Sequence, residues 1–202
     1  MSKSLYLASQ SPRRLELLRQ VGLAPLVLPL RHAQPRADVD ETPLPGERAL
    51  DYVRRLARQK AESGLLALTG RRLPVMPVIA ADTTVTLDGL ILGKPADADE
   101  ASAMLRRYSG RSHTVLTAVG LAYRNRIEIA VSESEVHFKP LSEAEIAAYV
   151  DSHEPYDKAG GYGIQGRAAM FVEHISGSYS GIMGLPLYET AELLRTLGYE
   201  VL

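Results

Sequence analysis

Apolar positions along the chain fall into short blocks, and their spacing switches between two periods. The strand-like "LYLA" at 5–8 leads through Ser9 and Ser11 into an apolar-periodic stretch. Ser11 fits an N-cap and Pro12 the first helical position, where a missing N–H costs nothing. Between about Arg48 and Leu66, Leu50, Val53, Ala57, Ala61 and Gly64 recur at spacings of three and four, which predicts a helix. The run Val78 to Ala81 predicts a strand buried on both faces and ending at Asp82. "TVTL" and "LILG" flank Asp88-Gly89, a strong hairpin signal. A two-residue turn there pairs Leu87 with Leu90, Val85 with Leu92 and Thr83 with Lys94, so Lys94 returns to within a residue of Asp82.

Further on, a helix is expected near Asp97 to Tyr108. Two long strands, "SGRSHTVLTAVGLAY" and "IEIAVSESEVHF", turn around Arg124–Arg126. Ser142 to Glu145 spells a capping box opening a helix to about Val150. "DKAGGYGIQG" reads as a glycine-dense loop, "AAMFVEHI" as a strand and Pro186 to Leu197 as a closing helix. Residues 29–47, rich in proline and charge, read as a long loop of the kind that is functional or mobile. The irregular alternation predicts a mixed α/β chain with long antiparallel pairs.

Composition narrows the class. The 202 residues make one large or two small domains, long enough to bury a core without staples. With no cysteine, disulfides, thiolate metal sites and cysteine nucleophiles are excluded. Met1 to Ala8 has no basic stretch followed by an apolar core, so no secretion signal is expected. "GLAPLVLPL" and "VMPVIAA" are too short and too broken by proline to span a bilayer. A net charge of −1 argues against a general nucleic-acid or membrane-surface binder. The expectation is a soluble, cytoplasmic, globular protein.

Against this background a few residues stand out. Arg13 and Arg14 fall in the first turn of a helix, where the partial positive charge disfavours a cation by roughly 0.3–1 kcal/mol. A polyphosphate seated between them would remove that conflict, because helix N-terminal N–H groups and guanidinium forks both suit phosphate oxygens. The simpler alternative has both arginines splaying into water or pairing with Glu16 and other acids. Asp82, at the end of a buried strand, sits where open α/β sheets place ligand-binding groups, or else caps a neighbouring N–H. Asp38, Asp40 and Glu41 of "DVDE" would alone be solvated charge; with Asp82 they could hold Mg²⁺. Lys60 lies on an apolar stripe, which composition alone reads as a lysine snorkelling to water. Gly161, Gly163 and Gly166 match G-x-G-x-x-G but lack the preceding strand and following helix of a dinucleotide site; a backbone turn approaching a ligand fits better. His113 and His174 read as structural.

Taken together, "LASQSPRR", "DVDE", "ARQKA", "AADT", "LGKP", "YSGRSHTVLTAV", "EPYDKAGGYGIQG" and "GSYSGIMGLPL" resemble, in order and over nearly the whole chain, the Maf proteins. These are nucleoside triphosphate pyrophosphatases, historically named as septum-formation inhibitors. The resemblance implies one domain over 1–202 with two lobes, a mixed sheet with flanking helices and a central cleft. It also implies a divalent metal, Mg²⁺ or Mn²⁺, and hydrolysis of a triphosphate to monophosphate and pyrophosphate. By motif, the catalytic aspartate carries onto Asp82, the loop glutamate onto Glu41 and the lysines onto Lys60 and Lys94. The specificity positions carry onto Arg13, Thr83 and Gln165, a trio similar to the branch acting on dTTP and UTP; Ser9, Ser11 and Arg14 then join Arg13 on the triphosphate. Metal ligation falls to Glu41 and Asp82, and Asp82 is either base or ligand or both. A homodimer acting on free nucleotide is implied. The segments "LRHAQPRA" and "LTGRRLPVMP" look longer than the family pattern. The alternatives are a non-catalytic nucleotide-binding regulator of cell division, and a pyrophosphatase for modified or purine triphosphates.

Overall fold

A computed structural model describes residues 4–31, 37–199 and 201. Part of the long loop expected at 29–47, residues 32–36, therefore lies outside the described residues, as does the start of the Met1–Ala8 segment. The architecture is a mixed α/β fold around a seven-stranded sheet. In chain order the elements are β1 (Ser4–Leu7), α1 (Pro12–Gln20), β2 (Ala24–Val27), α2 (Ala49–Gly70), β3 (Val78–Leu87) and β4 (Leu90–Leu92). There follow α3 (Ala98–Tyr108), β5 (Ser112–Tyr123), β6 (Arg126–Phe138), α4 (Glu143–Asp151), β7 (Val172–Ser176), α5 (Tyr179–Met183) and α6 (Leu187–Arg195). Three 3₁₀ turns, Glu154–Asp157, Ala159–Gly161 and Arg167–Phe171, fill the stretch between α4 and β7. No described helix is long and apolar enough to cross a membrane.

Strands run in the order β2-β1-β3-β5-β6-β7, with β4 paired to β3. β1 is parallel to β2 and β3, and the remaining pairs are antiparallel. One edge of β3 is paired with β5 from Val78 to Thr86. The other edge meets β1 at Val78 and Ile79 and β4 only from Val85 onward. Between those contacts, residues 80–84 have a strand neighbour on the β5 side alone, and a cleft opens at this gap.

The sheet is covered on both faces. Leu17, Leu18 and Leu194 of α1 and α6 pack with Ile79, Ala81 and Val119. On the opposite face α2 lays Ala61 and Leu68 against Val78 and Ala80, and Val53 and Ala57 against Leu116 and Ala118. Small residues let α2 come unusually close: a Cβ on Gly64 would lie 2.6 Å from Val78 Cγ1, and one on Gly120 would lie 2.9 Å from the Ala57 carbonyl. A separate apolar group at the far end of the long strands gathers Val85, Tyr108, Val136, Phe138, Ile146, Tyr149 and Tyr162.

Most expected elements form. The hairpin pairs Leu87 with Leu90 and Val85 with Leu92, and Asp88 and Gly89 both take the positive φ that a type I′ turn requires. Ser142 and Glu145 make the capping box. Three expectations are corrected. β3 does not end at Asp82 but continues to Leu87, with Asp82 paired opposite Ala118; antiparallel β5 supplies the ladder that lets the strand pass a carboxylate. Thr83 does not pair with Lys94, because β4 stops at Leu92 and the Gly93 carbonyl accepts instead from Gly160 N, at 2.8 Å. "AAMF" coils as a 3₁₀ turn burying Ala168 and Phe171, and the strand begins only at Val172. Two elements were not anticipated: α5, and edge strand β2, which accommodates Pro25.

Candidate active site

A cleft of about 570 Å³ opens beside the middle of β3. Its walls include Ser9, Ser11, Arg13, Arg14, Glu41, Lys60, Asp82, Thr83, Lys94 and Gln165. The residues to which the family resemblance assigns a role therefore all line one cavity. The groups come from positions spread over most of the chain and from both faces of β3.

On the α2 face, Asp82 is only 7 % exposed, as is Lys60. The Lys60 ammonium donates to Asp82 Oδ1 at 2.6 Å and lies 2.7 Å from Glu41 Oε1. Lys60 thus does not snorkel: α2 lies too close to the sheet, and two carboxylates wait at the end of the side chain. The ammonium is thus shared by two carboxylates, one from β3 and one from the loop that precedes α2. Of "DVDE" only Glu41 reaches the cleft. Asp38 instead accepts from the backbone and guanidinium of Arg31, and Asp40 turns back to accept from Thr42 N at 2.9 Å.

On the other face, Ser11 caps α1 by accepting from Arg14 N, and Ser9 Oγ accepts from Ser11 N at 3.1 Å. Arg14 is drawn inward, donating to the Gly184 carbonyl at 2.8 Å, to Thr83 Oγ1 at 3.3 Å and to Ser9 Oγ at 3.4 Å. All three partners are uncharged, and burial pushes the guanidinium pKa below its ordinary value while the Asp82 charge opposes that shift. Thr83 Oγ1 is also reached by Thr117 Oγ1, at 3.0 Å, from β5. Arg13 points to the mouth, where NH1 lies 3.7 Å from Asp157 Oδ2. Arg13 thus does meet an acid, as the simpler alternative has it, whereas Arg14 is drawn into the cleft wall onto uncharged partners. Lys94 is exposed on the wall and makes no hydrogen bond or ion pair with the described residues.

The third wall is the glycine-dense segment, with Tyr162, Gly163 and Gln165 on the cleft. Its glycines answer to the protein's own packing. A Cβ on Gly160, at φ 75°, would meet Val85 Cγ2 at 2.4 Å, and one on Gly166 would meet Glu154 Oε1 at 2.2 Å. Buried tyrosines grip this segment from behind. Tyr108 Oη donates to the Gly160 carbonyl at 3.0 Å, and Gly163 N donates to Tyr149 Oη at 3.3 Å. Tyr162 Oη is 2.7 Å from His113 Nε2. His113 is itself buried among Tyr108, Phe138 and Tyr162, which agrees with a structural role, and His174 is exposed on β7 outside the cleft lining.

Several lining residues escaped the sequence reading, among them Tyr52, Asp157 and Lys158. Tyr52 Oη donates to the Glu41 carbonyl at 2.9 Å, and burial together with the Asp82 and Glu41 charges pushes its pKa up to about 12. No sequence signal distinguishes such a tyrosine from one that merely packs.

Among the described residues no group of three or more His, Cys, Asp or Glu side chains gathers as a metal site. What the cleft offers is two carboxylates around one ammonium. That donor set suits a hard cation such as Mg²⁺, which takes one or two carboxylates and completes its shell with water and phosphate oxygens.

Comparison with known proteins agrees with this picture. A family profile described as "Maf-like protein" matches residues 4–197. A protein of Aromatoleum aromaticum named dTTP/UTP pyrophosphatase is 56 % identical over 197 residues, covering 96 % of each chain. One of the same name from Nitrosomonas europaea is 52 % identical over 198 residues, covering 98 % of this chain and 96 % of its own. Another, from Bordetella parapertussis, is 56 % identical, covering 98 % and 94 %. Among solved structures, the Staphylococcus aureus Ham1 protein aligns over 67 % of this chain and 71 % of its own at 16 % identity and a TM-score of 0.45, too slight a likeness to argue from.

Proposed function

We infer that this protein, which belongs to the Maf family, hydrolyses nucleoside triphosphates, dTTP and UTP foremost, to the monophosphate and pyrophosphate. The observation that carries the reading is a carboxylate, Asp82, buried in mid-strand against Lys60 and facing a cleft whose other wall presents Arg13 and Arg14. A polyphosphate tail is the ligand for which both walls make sense. Arg13, Arg14 and the α1 N-terminus hold it, and Ser9 and Ser11 add hydrogen bonds. Lys60 and Lys94 neutralise charge developing on the transferred group and on the leaving pyrophosphate, the main lever in phosphoryl chemistry.

Asp82 orients or deprotonates the water that attacks the α-phosphorus. Glu41 and Asp82 would hold Mg²⁺ or Mn²⁺, which supplies Lewis-acid activation of a phosphate oxygen when bound. A carboxylate engaged with a metal is a weaker base, so ligation and proton abstraction would compete at Asp82. Gln165 can donate and accept at once, which suits the O4 and N3–H edge of uracil or thymine. Thr83 acts on the pocket through Arg14, with which it shares a hydrogen bond. We read the chain as one domain whose two lobes meet at the cleft, cytoplasmic and homodimeric, acting on free nucleotide rather than nucleic acid or membrane.

A nucleotide panel with pyrophosphate detection tests this. Purified protein with Mg²⁺ is expected to turn over dTTP and UTP well ahead of CTP and purine triphosphates, with EDTA abolishing release. Gln165→Ala should narrow the preference for UTP over CTP by about tenfold, the scale of one lost base contact. Nucleotide binding without turnover would favour a regulator, and a purine or modified-base preference would reassign the substrate.

A further inference from the structure

Glu41 sits on a loop with no regular structure, yet its carboxylate reaches Lys60 at 2.7 Å. Something must hold that loop. Two side chains three residues apart on α2 grip three consecutive backbone carbonyls of it. Arg55 NH1 donates to the Asp40 carbonyl at 3.4 Å, Tyr52 Oη to the Glu41 carbonyl at 2.9 Å and Arg55 NH2 to the Thr42 carbonyl at 3.1 Å. Arg55 is fixed in turn by a two-pronged pair with Glu47, Nε to Oε1 and NH2 to Oε2, both at 2.7 Å. Glu47 Oε2 also accepts from Leu44 N at 3.0 Å, closing the far end of the loop on itself. The Arg55 guanidinium lies 5.5 Å from the Tyr52 ring centre, so the two grips brace each other. Lys60 lies two turns beyond Tyr52 on the same helix face, and so one helix sets both the backbone and the carboxylate of Glu41.

We propose that Arg55 and Tyr52, anchored by Glu47, are positioning residues that deliver the Glu41 carboxylate to the cleft opposite Asp82. The catalytic part of this inference rests on the pyrophosphatase reading; the structural part does not. The pair with Arg55 holds the Glu47 carboxyl at about 2, below its ordinary value, so the anchor stays ionised into acid where a free glutamate would take up its proton. A lysine at position 55 would keep the charge but lose the fork that spans two carbonyls and a carboxylate.

The test has two arms. Backbone hydrogen exchange of residues 38–47, measured without nucleotide or metal, should speed up about tenfold or more in Arg55→Met and Arg55→Lys and less in Tyr52→Phe, while exchange in β3 and β5 stays unchanged. In the second arm, kcat and the Mn²⁺ concentration for half-activation are measured in a double-mutant cycle with Glu41→Gln. Loss of an outer-shell support is expected to cost about 10–100-fold. That penalty should largely vanish once Glu41 is already Gln, because both changes remove one interaction. Unchanged exchange in the loop would overturn the clamp. Equal penalties with and without Glu41 would overturn its link to Glu41 and leave Arg55 as ordinary fold support. Should Arg55→Met fail to fold, Tyr52→Phe, which deletes one hydroxyl, carries both arms. If the wild type shows no turnover, the pyrophosphatase reading falls, and the exchange arm still decides the clamp.

Discussion

At the scale of single residues, the molecule departs from ordinary rules where charge goes below the surface. Lys60 and Asp82 are each 7 % exposed, and a charge at that depth is tolerated only with a partner. His113 solves the same problem by staying neutral. Burial, with His137 adding to it, lowers its pKa to about 3, and its Nδ1 has no hydrogen-bond partner among the described residues. The unfolded chain takes up a proton at this residue near pH 6.5, and the folded one does not until about pH 3. Its contribution to stability is therefore complete above pH 6.5 and is lost progressively as pH falls toward 3. The slope is at most about 1.4 kcal/mol per pH unit. Denaturation of His113→Gln across that window should show a slope shallower by about one proton; an unchanged slope would mean that His113 is protonated inside the fold.

Arg13 and Arg14 were legible in the sequence because two cations in a first turn contradict the helix dipole. Lys60 was not legible by itself, because a lysine on an apolar stripe looks the same whether it snorkels or pairs inward. Tyr52 and Arg55 were invisible, since their partners are carbonyls that every residue carries.

Among the elements, α2 matters most to the site. Its stripe of Ala57, Ala61 and Gly64 sets how closely it rides on β3 and β5, and that closeness is what seats Lys60 against Asp82. Gly64→Val would drive a branched side chain into Val78, overpacking that costs about 1–3 kcal/mol. It should lower stability in chemical denaturation and reduce kcat, as α2 and its lysine move off the sheet. Wild-type kcat in a destabilised variant would separate the helix spacing from the chemistry. α2, the hairpin and the capping box could be read ahead of the structure because each carries a strong local signal. The end of β3 was misread for an equally physical reason: Asp82 ends an apolar run, but the ladder to β5 ignores side-chain polarity. The divergence at Gly93 depends on Gly160, some sixty-seven residues away, and no local pattern encodes it.

For the molecule as a whole, the sheet leaves a gap on one edge of β3 between β1 and β4, and the site is assembled in that gap. α1 brings its arginines to one face, α2 its lysine and the clamped Glu41 loop to the other, and the tyrosine-held glycine segment closes the third side. Periodicity could foretell the elements but not this convergence, which depends on contacts between residues as distant as Arg14 and Gly184. It was the succession of short motifs, matched as a set, that pointed to one site. The central claim is that Asp82 works at the heart of that cleft on a bound triphosphate. Pyrophosphate release from dTTP with Mg²⁺, compared between wild type and a folded Asp82→Asn, tests it most directly. The account predicts steady release by the wild type and a loss of about 10²–10⁴-fold in the variant; a variant that folds and releases pyrophosphate at the wild-type rate would contradict it.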